Sequence, residues 1–212
     1  MKISVKHISI VFIFLLSHNL SYGQISSNGI ENIEQEISDL ILQQTGDTYY
    51  IAAYNKKYYP NLNFGFENPN QIFSNGYLFT TMGPVDNDSD ERYAFVGIYK
   101  DGGILWQSEK EILFNNLNSE VLGILDINGD GNVEIISQWD QGMRGTSTEL
   151  WIYSWNGVSG ERINTIDVFG ESEIKLKDYS IQVVDFEPNG IKEIIGVDWN
   201  DEPVTFQWDG MG

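Results

Sequence analysis

The chain has 212 residues, with 31 acidic against 12 basic side chains, a net charge of −19, two histidines and no cysteine. A field of that sign repels nucleic acid and anionic lipid headgroups and favours cations. Without cysteine there are no thiolate nucleophiles, disulfides or thiolate zinc sites, and both histidines, His7 and His18, sit in a leader-like segment, so the rest of the chain cannot build a Ser-His-Asp or Cys-His centre.

Lys2 and Lys6 precede an apolar run from Ile8 to Leu16, which is too short to span a bilayer. Ser21 and Gly23 place small residues at −3 and −1 before Gln24. Residues 1–23 are therefore expected to be a cleaved export signal. The expected location is the periplasm or the exterior, with no membrane insertion after cleavage. Removing two lysines and no acids would make the remainder more negative still.

Residues 24–47 are expected to hold a polar start and one amphipathic helix. Ile30, Ile33, Ile37, Leu40 and Ile41 recur at helical spacing, which predicts a helix over 30–44. Ser27 or Asn28 can cap its start and Gly46 its end. The expected role of its apolar face is to pack on a sheet.

From residue 48 to 212 the pattern is β. Thr48 to Tyr54 is rich in tyrosine and β-branched residues, and 55–76 has no clear pattern. Short strands are then predicted near 77–82, 93–99, 103–107, 120–125, 133–139, 148–155, 162–168, 179–184, 192–199 and 203–208. Glycine, asparagine, aspartate and proline turns separate them.

Between two of these strands lies the loop Asp126, Asn128, Asp130, Gly131, Asn132, Glu134. Oxygen-bearing side chains at alternate positions suit a hard cation such as Ca²⁺, which takes six to eight oxygen ligands. Asp126, Asn128 and Asp130 offer side-chain oxygens, Asn132 its backbone carbonyl, and Glu134 a closing carboxylate. An EF-hand would need an acid at position twelve, where Ser137 stands, and helical rather than strand-forming flanks. A plain polar hairpin turn is the simpler reading, but it requires fewer oxygens in register.

The pattern recurs. Asp185, Glu187, Asn189, Gly190 and Glu193 match loop positions one, three, five, six and nine, and two isoleucines follow each copy. Trp139 and Trp199 come a few residues later, and each copy closes on a tryptophan-bearing strand, at Trp151 to Trp155 and at Trp208. A weaker copy begins at Asp86, Asp88 and Asp90, with Glu91 at position six and Ala94 at position nine, and it runs to Trp106. The units lie near 77–108, 119–168 and 178–212.

This unit resembles the FG-GAP and VCBS-type repeats of β-propeller proteins. The resemblance implies propeller-like repeats of small antiparallel sheets held by Ca²⁺, so that with the β pattern and the amphipathic helix read above the expected fold is mainly β with one N-terminal amphipathic helix. Three units are too few for an ordinary closed propeller. The N-terminal β segment would have to supply a fourth blade, or the stack would stay open with the helix covering an edge.

The Asp126 set is the first-choice metal site, the Asp185 set the second, and the Asp86 loop fits equally well as a solvated turn. The six tryptophans (106, 139, 151, 155, 199, 208) are read first as core and second as sugar-stacking platforms. The insertion from Gln141 to Thr148 is either a ligand loop or a difference in length. Two functions remain open. One is a non-enzymatic binding or adhesion module for a protein or carbohydrate ligand, with mainly structural Ca²⁺. The other is a secreted carbohydrate-active enzyme, or its accessory subunit, that uses carboxylates.

Overall fold

The structure is a computed structural model and describes residues 28–55, 65–66, 76–85, 91–114, 118–141, 147–164, 175–177, 181–185, 189–198 and 200–207. The expected signal segment and the Asp86 loop lie outside the described residues.

Helix α1 spans Asn28–Thr45, two residues earlier and one later than the periodicity predicts. Ile37 and Ile41 are fully buried, Ile30 nearly so, and Ile33 and Leu40 partly. Gly46 ends the helix at φ 81°, donating its amide to Leu42 O at 2.8 Å. Glycine adopts that left-handed conformation without the cost a Cβ imposes.

The strands follow in order: β1 (Tyr50–Tyr54), β2 (Gly65–Phe66), β3 (Gly76–Gly83), β4 (Glu91–Lys100), β5 (Gly103–Gln107), β6 (Glu111–Phe114), β7 (Asn118–Leu125), β8 (Val133–Gln141), β9 (Ser147–Trp155), β10 (Gly160–Arg162), β11 (Lys175–Lys177), β12 (Gln182–Val184), β13 (Glu193–Val197) and β14 (Pro203–Phe206). They form three sheets. The first has the order β1-β3-β4-β5, with β6 also on β4. The second has the order β10-β9-β8-β7-β2, with β11 also on β9. The third is β12-β13-β14. Among the described strands all pairings are antiparallel except β2 with β7.

Alternation along the strands decides how the sheets stack. Leu78, Ala94, Val96 and Ile98 of the first sheet meet Val133, Ile135, Trp139, Trp151, Tyr153 and Trp155 of the second. The opposite face of the first sheet, with Phe79, Phe95 and Tyr99, takes Ile30, Ile37 and Ile41 of the helix. The opposite face of the second sheet, with Ile136, Leu150 and Ile152, meets Ile194, Val204 and Phe206 of the third. The order is therefore helix, first sheet, second sheet, third sheet. The second sheet is covered by a sheet on both faces, which explains the unbroken apolar run from Leu150 to Tyr153.

Two expectations change at strand level. The strand predicted over 162–168 is instead β10, ending at Arg162. Ile163 still donates to Ile152 O at 2.9 Å, but the Asn164 side chain then takes over from the backbone. Its Oδ1 accepts from Ile152 N at 2.8 Å and its Nδ2 donates to Leu150 O at 3.0 Å. Residues 165–168 lie outside the described set. The interval 141–148 contracts, because Gln141 pairs with Ser147 across β8 and β9, and residues 142–146 lie outside the described set. Among the described residues no sheet closes on itself, and the three sheets stack face to face as layers.

Candidate metal centre

The Asp126 loop joins β7 to β8, and its side chains bond to its own backbone. The Asp126 carboxylate accepts from Gly129 N at 2.7 Å and from Gly131 N at 2.9 Å. Asn128 Oδ1 accepts from Asp130 N at 3.0 Å, and Asp130 Oδ1 accepts from Asn132 N at 2.7 Å. Asn128 Nδ2 donates to Asp130 Oδ2 at 3.2 Å. Gly131 sits at φ 87°, where the chain turns back towards β8.

The Asp185 loop joins β12 to β13 and repeats part of this framework. Gly190 N donates to Asp185 Oδ2 at 3.3 Å, as Gly131 N does to Asp126. Ile191 N donates to Asn189 Oδ1 at 2.8 Å, as Asn132 N does to Asp130. Gly190 has φ 85°. Glu187 lies outside the described residues.

Glu134 behaves differently from the other acids. It is the second residue of β8, lies on the same face as Ile136, towards the third sheet, and is fully buried. Its Oε2 reaches back into the loop and accepts from Ile127 N at 2.9 Å, while its Oε1 is buried with no hydrogen-bond partner. Burial pushes its carboxyl up to about 7, and the nearby Asp130 and Asp126 add to this. Hydrogen bonds from the Ile127 amide and from Ser154, its cross-strand neighbour, oppose the rise. Glu193 takes the same place in the second loop, buried and accepting from Gln207 Nε2 at 3.2 Å.

The two loops touch. Lys192 donates its amide to Ile127 O at 2.8 Å and its ammonium to Asp126 O at 2.7 Å. A Cβ on Gly129 would lie 3.4 Å from Gly190 O.

The donor set is carboxylate, amide and carbonyl oxygen, which suits a hard cation and not a thiophilic one. An ionised carboxylate oxygen has more than one lone-pair site, so accepting an amide leaves room for an ion. The orphaned Oε1 of Glu134 is a buried acceptor that a cation would satisfy. Among the described residues, however, no three carboxylates gather into a group that could hold a metal ion, because Glu134 turns inward beneath the loop. Asp126, Asn128 and Asp130 are thus brought together at the rim with Glu134 below them. Asn128 and the loop's backbone carbonyls would have to complete any coordination shell.

Trp139, Trp151 and Trp155 are buried in the core between the first two sheets and offer no platform to a sugar. Trp106 is half-buried, with its ring edge-on to Tyr153 and tilted against Trp155, both at 5.6 Å. It lies directly on Gly160, where a Cβ would collide with the indole. Trp199 and Trp208 lie outside the described residues. Sequence reasoning missed Ser154 and Lys192. The available signal for Lys192 was a charged residue at loop position eight, where the first copy has the buried Val133.

No family model, curated protein or solved structure matches the chain. The resemblance to FG-GAP and VCBS-type repeats rests on the loop residues and their spacing.

Proposed function

We propose that this protein is an exported, calcium-binding β-repeat protein of the FG-GAP or VCBS kind. It acts as a non-enzymatic binding or adhesion module, and its calcium is mainly structural. The observation that carries the reading is the Asp126 loop. Its alternating oxygens share a hydrogen-bond framework with the Asp185 loop, and a buried carboxylate oxygen below it has no partner. Asp126, Asn128, Asp130, the Asn132 carbonyl and Glu134 would hold the ion. Asp185, Glu187, Asn189 and Glu193 form the second-choice set. The stacked sheets are read as open, propeller-like blades, with the loops at the seam between the second and third.

The bound ion would supply positive charge among crowded carboxylates and so hold neighbouring repeats together. An extracellular-type site with Kd ~10⁻⁴ M at about 1 mM Ca²⁺ stabilises the fold by on the order of 1.4 kcal/mol. The enzyme alternative loses its best acid. Glu134, held near 7, has a value suited to a general acid, but a fully buried side chain cannot touch a glycosidic oxygen.

The test is thermal unfolding with calcium and with excess EDTA. Chelation should lower the melting temperature, and Asp126→Ala should abolish most of the difference. Superimposable melting curves for the wild type would refute the reading. A glycoside-hydrolysis screen should show no turnover.

A further inference from the structure

The Asp126 loop already has a cation beside it, and that cation comes from the neighbouring repeat. Lys192 occupies position eight of the Asp185 loop. Its amide is fixed to Ile127 O at 2.8 Å, which roots the side chain on the first loop. Its ammonium then reaches Asp126 O at 2.7 Å. That carbonyl belongs to the residue whose carboxylate organises the loop through the Gly129 and Gly131 amides. The seam between the sheets does not need this charge, since Ile127, Ile136, Leu150, Ile152 and Ile194 form it with apolar contacts. The acids around the seam do. Asp126, Asp130, Glu134, Asp185 and Glu193 all lie on the two loops or at their exits. The ammonium does not satisfy Glu134, whose Oε1 remains without a partner beneath the loop. The fixed lysine therefore neutralises part of the acidic seam and leaves unmet a demand that a second cation could fill.

We infer that Lys192 is the resident counter-cation of the Asp126 loop: it holds the loop in the metal-free protein and opposes a divalent ion there, so that the third sheet tunes the affinity of a site on the second. The inference rests on the calcium reading above. Repulsion between an ammonium and a divalent ion a few ångströms apart, even in a water-like dielectric, corresponds to about tenfold in affinity. Lys192 is thus a positioning residue, which exchanges calcium affinity for stability without calcium.

The experiment is calorimetric titration of the full chain with calcium chloride, alongside melting in EDTA. Lys192→Met keeps the aliphatic stem and the backbone bond but removes the charge. It should lower the metal-free melting temperature and tighten calcium binding by about tenfold, two changes of opposite sense. Lys192→Arg should stay near the wild type in both. A residue that only packs the seam would lower the melting temperature and leave affinity equal or weaker. That result, with a wild type that binds calcium, overturns the inference alone. A wild type that does not bind calcium overturns the calcium reading and the inference with it.

Discussion

Glu134 is the residue on which the candidate site turns. One oxygen ties the loop to β8 through Ile127 N, and the other is buried without a partner. A buried ionised carboxylate is costly unless paired, which is why burial holds its carboxyl near 7. Glu134→Gln keeps an acceptor for Ile127 and removes the charge. At pH 8 the metal-free variant should stay within about 1 kcal/mol of wild type, while the rise in melting temperature on adding calcium should vanish. A retained calcium effect would take Glu134 out of the site. The sequence made Asp126, Asn128, Asp130 and Glu134 legible because oxygens at fixed local spacing need no tertiary information. It could not reveal that Glu134 points inward, because its neighbour Ser154 is on another strand and the face that Glu134 shares with Ile136 is covered by another sheet.

At the scale of elements, α1 was the most legible part, because a 3.6-residue period over five apolar positions is hard to produce otherwise. Its polar attachments were not legible. Glu34 accepts from Ala53 N at 3.0 Å, occupying a donor on β1, the strand at the end of the first sheet. The Tyr99 hydroxyl donates to Glu36, which raises the phenol to about 12, with burial and the Glu36 charge adding to the shift. A folded value above the unfolded 10.0 favours the protonated phenol in the native state. The resulting stability is present in full below pH 10 and is lost as the pH rises towards about 12. The stability difference between wild type and Tyr99→Phe should therefore be constant up to about pH 10 and change between there and 12, measured by urea unfolding. A flat difference across that window would dismiss the Glu36 bond as a source of stability. The short strands β2, β6 and β11 were not legible. Two to four residues carry too little pattern, and each is fixed by the strand it joins, β7, β4 or β9.

For the whole molecule, the antiparallel alternation of short strands and turns pointed to small sheets, and the repeat comparison placed one acidic loop in each of two β-hairpins, β7–β8 and β12–β13. The order in which the sheets lie on one another was written only indirectly, in strands apolar on both faces such as Leu150 to Tyr153. The stack predicts a gradient of local stability. Amides of β8 and β9 lie in the layer covered on both sides and should exchange slowest with deuterium. Those of β12 to β14, where Gln182, Pro203 and Thr205 are exposed, should exchange fastest among the sheets. Equal protection across the three sheets would count against a layered unfolding.

The order of the layers in space is also nearly their order along the chain, with only β2 out of sequence. A polypeptide emerging N-terminus first can therefore lay each sheet on a platform already finished. The helix and the first sheet can form their shared core before the second sheet is complete, and the third sheet arrives last, bringing Lys192 to the seam. Among the described elements only β2 has to wait for a later layer, where it joins β7, so the rest of the molecule can grow like courses of brick, with the lysine set at the final joint.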